Sequence, residues 1–177
     1  VSMVAAPLLI AIAQFFWQNG RLTPTAGWIQ VISFAFWIVA FQGMFSLLKG
    51  KMPFYHAFGF LIAAFACIGG AGFGFDGIYT HAMGYTNSVD VNNLHTEIGL
   101  PLQVSLFLPG ILFPLSLLVL GIQLIRSESV ATWVGILLII AAVGFPLSRI
   151  PRIDWLAHLD NLLLVFSHLA IIVGRKS

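Results

Sequence analysis

From Leu22 to Leu48, from Met52 to Phe75, from Ile98 to Ile125 and from Ser129 to Ser148, the chain carries no Asp, Glu, Lys or Arg. No other feature restricts the fold so strongly. About 20 apolar residues in a helix match the hydrocarbon thickness of a bilayer, and in lipid the backbone must satisfy its own hydrogen bonds. A membrane barrel would show alternating polarity over about 10 residues, and these runs do not alternate. Charged residues make up 8% of the 177 residues, against about 25% in soluble domains. That leaves too little polar surface to cover a globule in water. The sequence therefore predicts an all-α integral membrane bundle. It forms one domain of about six transmembrane helices, over residues 2–18, 25–48, 53–81, 97–125, 130–148 and 154–174.

Local signals place the boundaries. Residues 3–16 have no charged lead and no Ala-x-Ala stop, so they read as a span and not as a signal peptide. Asn19-Gly20-Arg21 through Pro24 is a breaker, and Pro53 after Lys49-Gly50-Lys51 marks a new helix start. Pro101, Pro109 and Pro114 each remove a backbone N–H and predict kinks. Gly70, Gly74 and Gly77 share one helical stripe leading to His81. Small residues let helices approach closely in lipid. The Gly70/Gly74 face can pack within the bundle, against another membrane subunit, or against a second copy.

The bilayer is the partner that composition demands. Net charge is +2 and the basic residues are scattered, so there is no patch for nucleic acid. Cys67, the single cysteine, excludes an intrachain disulfide and a thiolate cluster and reads as a small residue in a membrane helix. Six spans put both ends on one face with Lys49, Lys51, Arg126, Arg175 and Lys176, and leave Arg21, Arg149 and Arg152 opposite. The excess of basic residues predicts cytoplasmic termini.

The one long polar passage, Asp76 to Glu97, holds three of the six acidic residues and two of the five histidines. The topology gathers Asp76, His81, Asp90, His95, Glu97, Arg149, Arg152, Asp154, His158 and Asp160 at the non-cytoplasmic face. In the last span, Asp154, His158, Asn161 and His168 fall within an arc of roughly 80° at 100° per residue. This stripe descends about 21 Å at 1.5 Å per residue, so His168 is deep and the stripe should face the interior. His56, Asp90 and Asp160 read as hydrogen-bonded interface residues, and Arg149, Arg152 and Glu128 as solvated loop charges. The candidate site is Asp76, His81, His95, Asp154, His158 and His168, with Glu97 and Asn161 as supporting residues. Neutral imidazoles with carboxylates suit copper, zinc or iron, and a facing pair of histidines suits haem. The same groups can also simply satisfy one another, with no cofactor.

The order Asp76-Gly77, His81, His95, then Asp154-Trp155-Leu-Ala-His158 and His168 resembles the C subunit of the copper membrane monooxygenases, the particulate methane and ammonia monooxygenases. Glu97 after His95 and Trp155 before His158 add to it. The resemblance covers roughly residues 75–170 and implies a copper-binding redox subunit with those six residues as ligands. The chain departs from the pattern in three respects, one being that His168 comes one turn early. Asp76 precedes His81 by one residue more than in the family, and Asp154 stands where the family has Asn. Leu112-Phe-Pro-Leu-Ser and Gly144-Phe-Pro-Leu-Ser resemble segments of many small bacterial multi-pass proteins, which implies a bacterial inner membrane. Motifs for hydrolases and nucleotide binding are absent. Alternative functions are a non-catalytic accessory subunit, or a proton or small-solute pathway along Asp154, His158, Asn161 and His168.

Overall fold

The computed structural model describes residues 1–18, 21–85 and 87–174. Within them the chain is a helical bundle. Its helices are α1 (Ser2–Gln14), α2 (Pro24–Ser46), α3 (Pro53–Ala82), α4 (Ser88–Ile98), α5 (Leu100–Arg126), α6 (Thr132–Arg149) and α7 (Asp154–Gly174). Five of these (α2, α3, α5, α6 and α7) are long and apolar enough to cross a membrane, the mark of an integral membrane protein. The first expected span is shorter than its apolar run. α1 stops at Gln14, and Trp17–Gln18 pairs antiparallel with Arg21–Leu22 in a small hairpin. The expected Asn19-Gly20 breaker and the Arg175–Lys176 tail lie outside the described residues.

Local chemistry accounts for the helix ends. Thr23 caps α2: its hydroxyl oxygen accepts from the Ala26 N–H at 3.2 Å, with Pro24 in the first turn where no N–H is needed. Asn87 caps α4 through the Asp90 N–H at 2.9 Å. α3, α5 and α6 end alike. Each closes with an N–H returned to a carbonyl five residues back: Tyr85 to Thr80, Ser129 to Leu124 and Ile153 to Ser148. Such an ending needs a left-handed residue. Gly84 supplies it at φ +85°, whereas Glu128 (φ 53°) and Arg152 (φ 58°) bear side chains there.

α1, α2, α3, α5, α6 and α7 form a closed ring in chain order, with α1 packed against α7 at the seam. The ring is filled, not hollow. Trp37, Phe41, Phe113, Leu117, Leu138, Leu164 and His168 are all essentially inaccessible. Phe113 stands edge-on to Phe34 and Trp37, at centroid distances of 5.0 and 4.9 Å. The glycine stripe is used inside the chain. A Cβ on Gly74 would lie 2.6 Å from the Gly27 carbonyl oxygen, and one on Gly27 would lie 2.5 Å from that of Gly74. Gly70 is covered by the Phe34 ring, and Gln30 Nε2 donates to the Gly70 carbonyl at 2.9 Å. Of the uses open to the Gly70/Gly74 face, the fold shows packing within the bundle, against α2.

Two further expectations change. The polar cap is not a simple loop, because half of it is α4. α5 absorbs its prolines through a π-helical turn at Gln103–Phe107, where the Leu108 N–H reaches back to Gln103. A wider turn of this kind reroutes hydrogen bonds where Pro109 cannot donate.

Candidate functional site

The 30 residues of α3 span about 45 Å at 1.5 Å per residue, more than the roughly 30 Å of bilayer hydrocarbon. Its last turns therefore reach the polar zone, and α4 folds back beside them. There His95 Nε2–H donates to Asp76 Oδ1 at 2.9 Å, with the two side chains 14% and 23% exposed. The His95 ring stands edge-on to Phe107, 5.7 Å away, which fixes its plane. Arg21 from the hairpin secures this region. Its Nη1 donates to the carbonyls of Tyr85 (3.0 Å) and Asn87 (2.9 Å), and its Nη2 to Thr80 Oγ1 at 3.0 Å. The Thr80 hydroxyl in turn donates to the Asp76 carbonyl at 2.7 Å. Burial pulls the Arg21 guanidinium below its ordinary pKa, Asp76 opposes this, and Arg152 adds to it.

Asp76 also lines a groove of about 610 Å³ between α2, α3 and α5. The walls are apolar: Val31 and Ile38 from α2, Phe75 from α3, and Leu102 and Leu106 from α5, with the hydroxyls of Tyr79 and Ser105 as further polar points. Ile68, Phe75 and Tyr79 are exposed, so the groove opens on the outside of the bundle. From Cys67 to Tyr79 it follows α3 for about 18 Å.

A second polar centre lies inside. Arg149, the last residue of α6, donates from Nη1 to Asp160 Oδ2 (2.9 Å) and Ser148 Oγ (3.0 Å), and from Nη2 to Asn161 Oδ1. Asp160 and Asn161 are 1% exposed. The guanidinium carbon sits 3.8 Å over the Phe145 ring. From there aromatic contacts run through Phe113 and Trp37 to His168. His168 Nδ1–H donates to the Leu164 carbonyl at 2.7 Å. Its Nε2, with Trp37 Nε1, Asp160 Oδ1 and Asn161 Nδ2, is buried without a hydrogen-bond partner among the described residues.

Two of the readings from sequence are corrected here. Arg149 is not a solvated loop charge, because α6 extends to include it and turns it onto α7. Asp160 is not an interface residue, because it is the acceptor for that guanidinium. The buried face of α7 is centred on Leu164, roughly 80° from Asp154 at 100° per residue. Asn161 and His168 therefore point inward. Asp154 stays exposed, and His158 rests half-buried against Phe15 with ring centroids 4.6 Å apart. His81 and Glu97 are exposed. Of the six expected metal ligands, the fold joins Asp76 to His95. No three His, Cys, Asp or Glu side chains among the described residues converge as one ion would require.

The groove and Arg21's role were not read from the sequence, since both depend on elements far apart in the chain. The chain matches no known protein family, no curated protein and no solved structure.

Proposed function

We propose that this membrane protein binds a membrane-dissolved amphiphile, with the apolar portion in the α2–α3–α5 groove and the polar head at the Asp76–His95 pair. One observation carries the reading: Asp76, which lines the groove, is also the residue that holds the His95 imidazole. An apolar cleft of a few hundred Å³ with a small number of polar groups at one end is the usual form of a small-molecule site. With Nε2–H engaged by Asp76, a neutral His95 keeps Nδ1 as an acceptor. Asp76 can orient a polar head that enters the groove.

In the same reading the protein sits in a bacterial inner membrane with the Asp76–His95 face turned away from the cytoplasm. Lys49, Lys51 and Arg126 mark the opposite face, and Arg175 and Lys176 follow α7 in the sequence. Photolabelling of the purified protein in nanodiscs with a long-chain diazirine probe tests the binding. Adducts concentrated on the α3 peptide 67–79 are expected. Adducts spread evenly over the outer faces of α6 and α7 would mean that the groove is ordinary lipid-facing surface.

A further inference from the structure

At the end of the bundle opposite the Asp76–His95 pair, two loops far apart in the chain form one surface. Residues 47–52 join α2 to α3, and residues 127–131 join α5 to α6. The Lys51 ammonium donates to the Ser127 carbonyl at 2.6 Å, and the Ser129 hydroxyl donates to the Leu47 carbonyl at 3.2 Å. Leu48 and Val130, one from each loop, are buried. Lys51 is thereby held against the residue that follows Arg126, so basic residues from both loops belong to one patch. Lys49, Lys51 and Arg126 are exposed, and Glu128 is the one acid in these loops. Among the described residues, none of the four takes part in an ion pair. An ammonium has three N–H donors, and Lys51 spends one of them on Ser127.

The first of these loops leads directly into an apolar face. α3 starts at Pro53, and Phe54, Phe58, Leu61 and Phe65 fall within an arc of roughly 60° at 100° per residue. All four are exposed. The Phe54 and Phe58 rings are stacked, 5.8 Å apart and 17° from parallel, and are 80% and 53% exposed. A cationic rim at the foot of an apolar stripe matches a molecule with an anionic head and long apolar chains, and in a bilayer that molecule is a phospholipid. The other end lacks this combination. Arg21 is spent on Thr80 and two carbonyls, Arg149 is spent on Asp160 and its neighbours, and Asp90, Glu97 and Asp154 are exposed there.

We propose that the clasped loops bind an anionic phospholipid, its phosphate received by Lys49, Lys51 and Arg126 and its chains lying along the Phe54–Phe65 face of α3. A basic side chain near a membrane surface contributes about fivefold in affinity for anionic lipid, or roughly 1 kcal/mol. The site shares no residue with the α2–α3–α5 groove and stands independently of the binding proposed there.

The test compares phosphatidylglycerol and phosphatidylcholine probes that carry the same diazirine-labelled chain, each as a tracer in phosphatidylcholine nanodiscs. Phosphatidylglycerol should label residues 53–65 about tenfold more, corresponding to roughly 1.4 kcal/mol, while the two probes should label 155–166 equally. Lys51→Gln and Arg126→Gln should each lower the phosphatidylglycerol signal about fivefold, whereas Lys51→Arg should retain it. Lys49→Gln should act like the first two and leaves the loops joined, because Lys51 and Ser129 make the clasp. Size exclusion and helical circular dichroism confirm that the variants are folded. Equal labelling of 53–65 by both probes would overturn the site. Phosphatidylglycerol enrichment of the same size at 155–166 would also overturn it, showing a general attraction to a basic protein. Excess glycerol 3-phosphate should leave the labelling in place. If it displaces the probe, the loops take a soluble phosphate and the lipid assignment falls.

Discussion

The Asp76–His95 pair joins α3 to a helix lying on the face of the bundle, and the Arg149–Asp160 pair joins two helices inside it. Both are 2.9 Å contacts at the same end of the molecule. Their surroundings differ. Asp76 lines an open groove, and His95 is backed by a single aromatic ring. Arg149 is enclosed by Ser148, Asp160, Asn161 and the Phe145 ring, and Asp160 is 1% exposed. A carboxylate buried as Asp160 is depends on the guanidinium that donates to it. A pair that still meets solvent or ligand is held weakly and is free to change partners. The inner pair ties α6 to α7, and the outer pair ties α3 to α4.

Breaking the inner pair should produce the largest change. Arg149→Ala or Asp160→Ala leaves a buried charge alone and should cost about 3–5 kcal/mol, read as a fall in the thermal midpoint in detergent. Arg149→Met with Asp160→Leu should recover most of that loss, because no charge is stranded. If the double variant is as unstable as either single one, the pair is not the source of the loss.

The next effect sharpens the geometry of the same pair. A Cβ on Gly144 would lie 2.5 Å from Asp160 Oδ1. Gly144→Ala should therefore push the carboxylate off its seat and cost about 1–3 kcal/mol, in the range of overpacking. A neutral result in the same melting experiment would show that the carboxylate has room to move.

The turns behind the two pairs should respond with opposite signs. Gly84 ends α3 ahead of the helix that carries His95, and Arg152 ends α6 just after Arg149, both with positive φ. A side chain in that conformation costs about 1–2 kcal/mol. Gly84→Ala should destabilise by about 1 kcal/mol, and Arg152→Gly should stabilise by a similar amount. Comparison of the two midpoints checks both, and shifts of the same sign would refute the account.

The smallest stability change belongs to the outer pair. His95→Ala should alter the midpoint by less than about 1 kcal/mol while weakening labelling of the groove. A loss as large as that of Asp160→Ala would make the outer pair structural as well.

The comparison also marks what the sequence makes legible. Charge-free runs announce the spanning helices, because lipid admits little else. Gly74 announces a close helix crossing, though not that Gly27 is its counterpart. The polar passage after Asp76 shows that a site is near, but α4 within it has too few apolar residues to declare itself. Arg149 carries no such mark. An arginine between an apolar run and a turn looks the same whether its side chain turns outward or inward. Only the rotation of α7, set by Leu164 and His168 packing against the core, presents Asp160 and Asn161 to it. The same rotation carries Asp154 outward, so a stripe anchored on Asp154 is read too far round the helix.

The closed ring bears on how the molecule assembles. Successive spanning helices are neighbours all the way round, so each can dock on the one before it as soon as it enters the bilayer, with little chain entropy spent on closing loops. The α1–α7 seam is the exception, because it joins the first helix to the last. Until α7 arrives, Trp37 lacks its His168 neighbour and Arg149 has no carboxylate. The last helix therefore completes the interior, because it brings Asp160 and Asn161 to the Arg149 guanidinium and His168 to Trp37.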